Sequence, residues 1–278
     1  MKILLFGVRG LLGTALKNVC FEKKIRLYSF TSKELNVVNF KALEKKIKKI
    51  KPEIIINASA LVGIDQCEKN FSKAFSINSI GALNLSRICS ELNITFIQIS
   101  THAVFDGSQD RSYNENDLPK PNNVYAGTKL LSELFTKSIC KKYYIVRFSM
   151  LYGNRKNLSQ SFSQNMIKGL LKNKTLKIAY DKIDSPTYSK DAARALISLI
   201  RSKKPYGLYH LSNKGKVSYL KLVKKMKTIL NSKSKVIPVK YSKINSCNFK
   251  PAKTSITSNK VKLRDWRKAL QEYVGEIK

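Results

Sequence analysis

Tyr125 stands four residues ahead of Lys129 in the stretch NNVYAGTKLLSE. The apolar spacing of Leu130, Leu131 and Leu134 reads as a helix, on which residues four apart share a face. A phenol beside an ammonium is a proton-transfer pair. The ordinary phenol titrates near pH 10, and a neighbouring cation favours its ionised form. Such a pair could protonate a carbonyl oxygen while the carbon receives a hydride. Spacing alone is weak evidence, because Tyr152 and Lys156 repeat it in a chain with 53 Lys plus Arg and 13 Tyr. Gly153 and Asn154 interrupt a helix there, so those two side chains need not meet.

Two further features give the first pair a context. GVRGLLG sets Gly7, Gly10 and Gly13 directly after the apolar run KILLF and at the start of a helical pattern. Glycines allow a tight turn and close approach of backbone N–H groups to a pyrophosphate, and a helix N-terminus favours that anion. Gly7, Arg9, Gly10, Leu11, Leu12 and Gly13 are therefore expected to cradle a dinucleotide. The next strand ends in SFTSKEL, where an acid would bind the ribose of NADH. Thr31, Ser32 and Lys33 suit a 2′-phosphate instead, with Arg9 as a second cation. This favours NADPH, while Glu34 keeps NADH open, since a small register shift would bring it to the ribose. The fourth strand ends IQISTHAV, with Ser100 and Thr101 at the sheet edge where doubly wound folds bind ligands. Together these parts form a reductase. Tyr125 supplies the proton, Lys129 lowers the phenol's pKa and holds the nicotinamide ribose, and Thr101 orients the carbonyl oxygen.

The elements that must position these residues alternate. KILLFG, IRLYSF, PEIIINAS, ITFIQIS and YYIVRFSML read as strands. Between them LLGTALKNVCFEK, FKALEKKIKKI, a long region from CEKNFSK to SEL, and the Tyr125 segment read as helices. The expected fold is α/β, a Rossmann-type doubly wound parallel sheet with a small C-terminal α+β substrate lobe. Residues 1–155 would form the NAD(P)-binding domain and 156–278 the lobe, interleaved with the sheet. In the second half, SQSFSQNMIKGLLKN, YSKDAARALISLIRS, YLKLVKKMKTIL and SNKVKLRDWRKALQEYV read as helices, and GLYHLS and KVIPVK as strands.

Bulk properties exclude other classes. The 278 residues are 43% hydrophobic, enough for a packed core. No apolar run approaches the roughly 18 residues of a membrane span. The signal-like start MKILLFGVRGLLGTAL is broken by Arg9 and is better read as a buried strand entering a glycine turn. The five cysteines form no C-x-x-C pair and suit no metal framework, so reduced core thiols in a cytoplasm are expected. The net charge of +35 is spread along the chain, as on the solvated face of KALEKKIKKIKPE. It implies attraction to anionic ligands rather than specific nucleic-acid binding. Oligomeric state is open, a homodimer included.

With these motifs in place, the chain resembles the extended short-chain dehydrogenase/reductases and, within them, the dTDP-4-dehydrorhamnose reductase family. ILLFGVRGLLG resembles the family's cofactor turn and NVYAGTKLLSE its catalytic helix, and STHAVFDG matches S-T-D-Y-V-F-D-G in part. RFSMLYG, DKIDSPTYSKDAARA, GLYHLSNKG and KPAKTSI follow later family segments in order. The resemblance implies NADPH-dependent reduction of the 4-keto group of a nucleotide-activated deoxysugar. It implies that Ala58, Ser59 and Ala60 line the cofactor, with Asn36 and Val37 beside the adenine and Ile99 beside the nicotinamide half. The chain departs from the family at the sugar end. His102 and Ala103 replace Asp-Tyr, Met150 replaces a tryptophan, Asp184 replaces a glycine, Lys250 an arginine, and Asn36 an aspartate. Ser100, Thr101, His102 and Met150 are thus the expected substrate contacts, with His102 a second acid, a sugar ligand or a loop residue without a role. A different class shares the fold: the regulatory beta subunit of methionine adenosyltransferase, which binds NADP without a required reductase role. Another sugar or nucleotide is also compatible.

Overall fold

Short runs of four to seven residues become parallel strands, buried except for the edge strand β2. They are β1 (Lys2–Phe6), β2 (Arg26–Phe30), β3 (Ile54–Asn57), β4 (Thr95–Thr101) and β5 (Tyr143–Phe148). The computed structural model describes residues 1–154, 161–202, 204–244 and 250–277. The expected domain boundary at 155/156, Lys156 and Cys247 lie outside the described residues.

Parallel neighbours need crossover connections, here supplied by helices on both faces. The first half contributes α1 (Leu11–Glu22), α2 (Phe40–Ile50), α3 (Ile64–Lys69), α4 (Phe71–Phe75), α5 (Gly81–Glu91) and α6 (Val124–Ile139). The second half adds α7 (Phe162–Leu171), α8 (Ser189–Arg201), α9 (Tyr219–Leu230) and α10 (Trp266–Gly275). Its short strands are β6 (Leu151–Tyr152), β7 (Leu176–Ala179), β8 (Ile183–Asp184), β9 (Thr187–Tyr188), β10 (Gly207–His210), β11 (Val217–Ser218) and β12 (Val236–Val239). The main sheet runs β10-β5-β4-β3-β1-β2, all parallel.

Alternation along β1 shows why the sheet is covered twice. Ile3 and Leu5 pack with Leu12 and Leu16 of α1 and Leu196 of α8. Leu4 and Phe6 point the other way, onto Leu43 and Ile47 of α2 and Leu85 and Ile88 of α5. From β1 the chain moves out to β2 and then crosses back to β3 on the other side. That reversal opens a crevice above the C-terminal ends of β1 and β3.

A separate apolar cluster joins Tyr152, Leu170, Leu222, Met226, Trp266 and Tyr273. Beside it the short strands pair as β6/β9, β7/β12 and β8/β11. The second half is not confined to this cluster, since α8 and β10 belong to the layers of the main sheet.

Two expectations need correction. The helical region from CEKNFSK to SEL is broken: α3 ends at Asn70 (φ −132°, ψ 55°), and a π-turn at Ser76–Ile80 precedes α5. The last helix begins only at Trp266, because the Asp265 carboxylate caps it by accepting from the Arg267 N–H. Among the described residues no helix is long and apolar enough to cross a membrane.

Candidate active site

A cleft of roughly 770 Å³ runs from the glycine turn, over the ends of β3 and β4, to β8, α9 and residues 250–254. The end at the glycine turn is lined by Gly7, Arg9, Gly10, Leu11, Leu12, Gly13, Thr31, Ser32, Val37, Ala58, Ser59 and Ala60. Ile99, Ser100, Thr101, His102, Tyr125, Lys129 and Met150 line the middle and the far end. Lys33 and Asn36 are exposed and do not line it. The Asn36 side-chain oxygen Oδ1 instead accepts from the Val38 N–H (3.1 Å). Glu34 also lies outside the lining. Its carboxylate accepts from the Thr31 N–H (2.7 Å) and hydroxyl (2.8 Å), and those bonds hold it below the usual carboxylate range.

The three glycines are not equivalent. Gly7 has φ +82°, and a Cβ there would lie 2.4 Å from the Ala58 carbonyl carbon. A Cβ on Gly13 would lie 2.2 Å from the Gly7 oxygen. The fold itself therefore requires both. Gly10 has φ −75° and ψ 170°, open to any residue, and a Cβ would meet nothing nearer than 3.4 Å. Nothing within the chain explains that glycine. It stands at the N-terminus of α1, which has no side-chain cap and no acid in its first turn. A bare, uncapped helix start facing a cleft fits the pyrophosphate of a dinucleotide.

Two buried asparagines shape the loop opposite. Asn57 donates to the Gln98 side chain (2.9 Å) and accepts from the Ser59 N–H (3.2 Å). Asn78, on the π-turn, accepts from the Leu61 N–H (2.8 Å) and donates to the Leu61 carbonyl (3.1 Å) and the Thr128 hydroxyl (3.0 Å). It ties the loop after β3 to α6. Sequence reading missed both, although an asparagine closing the apolar strand β3 and another on the inward face of a helical run were the available signals.

Helix α6 starts where the Asn123 side chain accepts from the Ala126 N–H (2.9 Å) and Glu68 accepts from the Val124 N–H (2.8 Å). Its pitch sets Tyr125 and Lys129 on one face. The Thr101 hydroxyl accepts from the Ala103 N–H (3.1 Å) and lies beside the Tyr125 phenol, where it favours the ionised form. Burial pushes the phenol up to about 12, with the neighbouring Thr101 hydroxyl opposing. Lys129 donates to the Ile99 carbonyl (2.6 Å), and burial pushes it down to about 8 against the opposing field of Glu133. The expected lowering of the phenol by Lys129 is thus absent here. The desolvated ammonium takes the strand-end carbonyl, and burial dominates at the phenol.

Beneath the pair, Glu133 accepts from Arg147 Nε (2.9 Å) and Nη2 (2.6 Å), both residues being buried. The Ser100 hydroxyl also donates to Glu133, so its side chain is engaged below the cleft. At the far end, Asp184 accepts from Lys182 (3.1 Å), from the Tyr219 hydroxyl (3.0 Å) and from the Thr254 hydroxyl (2.8 Å). Burial opposes its ionisation, but Lys182, His102 and these bonds outweigh it and hold Asp184 below its usual range. Met150 lies in the left-handed region (φ 35°), a strained backbone for a side chain at a ligand cleft. Lys250 donates to Asp65 (2.6 Å), linking the 250–254 segment with the start of α3. Among the described residues no three His, Cys, Asp or Glu side chains come together as a metal site.

Residues 1–278 match the family described as the RmlD substrate binding domain. The chain belongs to that family. Within it, the chain is 30% identical over 281 residues to the spore coat polysaccharide biosynthesis protein SpsK of Bacillus subtilis, covering 99% of this chain and 97% of that protein. It is 31% identical over 225 residues to the dTDP-4-dehydrorhamnose reductase of Aggregatibacter actinomycetemcomitans, covering 78% and 75%. The solved dTDP-4-dehydrorhamnose reductase of Bacillus anthracis, in complex with NADP, superposes with a TM-score of 0.93 at 30% identity and covers 99% of this chain and 100% of that one. The Rossmann-type fold expected from the alternating elements is the fold of this relative.

Proposed function

We propose that the chain is an NADPH-dependent reductase acting on the 4-keto group of a nucleotide-activated deoxysugar, with dTDP-4-dehydrorhamnose to dTDP-L-rhamnose the best-fitting reaction. The observation that carries this is the Tyr125 phenol beside the Thr101 hydroxyl and one helical turn from Lys129, all three lining the cleft that begins at the glycine turn. Similarity to the named reductases and to the NADP complex supports the substrate class and the cofactor.

Gly10 and the first turn of α1 would hold the pyrophosphate, and Arg9, Thr31 and Ser32 the 2′-phosphate. When bound, the cofactor supplies hydride to the sugar's carbonyl carbon. Tyr125, held protonated up to about pH 12, is in the state required to give its proton to the carbonyl oxygen, leaving phenolate. Thr101 donates to the oxygen or the phenolate and stabilises either. Lys129, still largely protonated at neutral pH, supplies positive charge one turn below. The main sheet would bind cofactor, and β8, α9 and the 250–254 segment would hold the sugar. This assigns the cofactor to residues 1–155 and most sugar contacts to 156–278. Buried free thiols at Cys20, Cys67, Cys89 and Cys140 fit a reducing cytoplasm. A cofactor-holding regulatory subunit would not need the Thr101–Tyr125 arrangement.

The test mixes protein, NADPH and dTDP-4-dehydrorhamnose and follows loss of the reduced nicotinamide absorbance. Consumption matched by dTDP-rhamnose supports the reading. Tight NADPH binding without consumption, across several keto-sugar nucleotides, refutes it.

A further inference from the structure

The far end of the cleft holds a polar constellation that proton transfer does not use. His102, just after β4, turns Nδ1 toward three oxygens. The Thr254 carbonyl, 3.1 Å away, can only accept. Asp184 Oδ1, 3.4 Å away, is a carboxylate and can only accept. Thr254 Oγ1, 2.9 Å away, has its own proton committed to Asp184 and also accepts from Lys182 (3.3 Å). Every partner of Nδ1 is therefore an acceptor, which puts the ring proton on Nδ1. Nε2 has no hydrogen-bond partner among the described residues, and His102 lines the cleft.

We propose that His102 is a specificity-determining acceptor whose proton is held on Nδ1 by Thr254 and Asp184, so that Nε2 presents its lone pair to a hydroxyl of the substrate sugar. This rests on the reductase reading above and narrows its substrate. Lys182 and Asp184 neutralise each other, and Lys250 is paired with Asp65. The pocket therefore suits a neutral hydroxylated ring rather than a uronate or an amino sugar. Asp184 is a positioning residue in this scheme. It touches His102 but is closed off from the sugar by its bonds to Lys182, Tyr219 and Thr254.

Acid reverses the device. The charged and titratable groups around His102 are Asp184 and Lys182 on the β8 side, Tyr219 from α9, and Tyr241, whose ring lies 5.8 Å from the Lys182 amine. Burial, opposed by Asp184, keeps His102 below the usual histidine range. As pH falls through that lowered value, Nε2 gains a proton and becomes a donor, and KM for the sugar nucleotide rises.

The chain has two histidines, so imidazole ¹⁵N spectra of wild type and H102Q identify His102 by difference. The expected spectrum has a protonated Nδ1 and a bare Nε2 at neutral pH. A proton on Nε2 overturns the proposal whatever the activity. In turnover with dTDP-4-dehydrorhamnose, H102F should raise KM by about 10-fold or more, with a far smaller effect on kcat, for loss of one hydrogen bond. H102Q, whose amide oxygen replaces the acceptor, should recover most of that and lose the acid limb of the KM profile. NADPH binding by both variants reports that they fold. Wild-type turnover with an unchanged KM in H102F sinks this proposal alone. A wild type that consumes no NADPH with any keto-sugar nucleotide sinks the reductase reading, and this proposal with it.

Discussion

Alanine at Gly10 and alanine at Gly13 should fail in opposite ways. At Gly13 the new methyl would sit 2.2 Å from the Gly7 oxygen, where ordinary contact begins at 3.4 Å, so about 1.2 Å must be found by moving backbone. The neighbours are main chain, at Gly7 and Val8, and cannot rotate away. Overpacking of this kind costs about 1–3 kcal/mol and belongs at the upper end here. The better helix propensity of alanine returns only about 1 kcal/mol. The net loss of about 2 kcal/mol lowers Tm by roughly 4–8 °C for a chain of this size. At Gly10 the backbone is unstrained and the methyl has room. Replacing glycine by alanine at an N-cap costs about 0.5–1 kcal/mol, a shift of roughly 1–4 °C. That methyl would nevertheless stand where the pyrophosphate must approach, and a loss of 1.4–3 kcal/mol in binding weakens NADPH by roughly 10- to 100-fold. Thermal melts without ligand, paired with NADPH fluorescence titrations, separate the two. G10A binding NADPH as wild type does would refute the cofactor role of the turn. G13A melting like wild type would refute the steric account.

Y125F should cut turnover by roughly 10²- to 10⁴-fold and leave the NADPH Kd within a few-fold, read by steady-state kinetics and titration. Lys129 is shifted from 10.5 to about 8 in the folded chain, so the unfolded chain holds the extra proton between those values. Its contribution to stability therefore rises with pH from about 8 to 10.5 and is unfavourable below. K129M should raise the unfolding free energy from urea melts at pH 7 by an amount on the order of 1–3 kcal/mol, while losing turnover. A wild-type-minus-K129M stability difference that is flat across that window would contradict the assignment. E133Q removes the partner of buried Arg147 and should cost about 3–5 kcal/mol in urea unfolding. A loss below about 1 kcal/mol would show that the pair is not sealed from water.

The main sheet was legible because its signals are local. Short apolar runs, a glycine turn at residue 7 and two regular helical patterns each announce themselves within a dozen residues. Helix α2, at Phe40–Ile50, falls where its apolar stripe predicts it. The second half was less readable because its strands have two to four residues and pair with distant segments, as β7 does with β12. Alternation cannot show in two residues. Tyr125, Lys129 and Thr101 were visible from type and order, and the structure brings them together. Their electrostatics were not visible, since Lys129 turns to a carbonyl 30 positions away in the chain. Lys33 and Asn36 were placed by strand register and by resemblance. Neither source reveals that the chain turns both out of the cleft. Asn57 and Asn78 were missed because the groups they bridge, Gln98 for Asn57 and Leu61 and Thr128 for Asn78, lie on other segments that only the fold brings beside them.

The π-turn at Ser76–Ile80 makes one register dependent on another. Its wide coil sets the phase at which Asn78 reaches Leu61 and Thr128, and also the phase at which α5 meets the sheet. Deleting a single residue there would not merely shorten a helix. It would rotate everything beyond by about 100° relative to what precedes it. Asn78 and the apolar stripe of α5 could then no longer both face inward. The loop after β3 and helix α6 are thus indexed by the same few residues, and a length change there would put them out of step together.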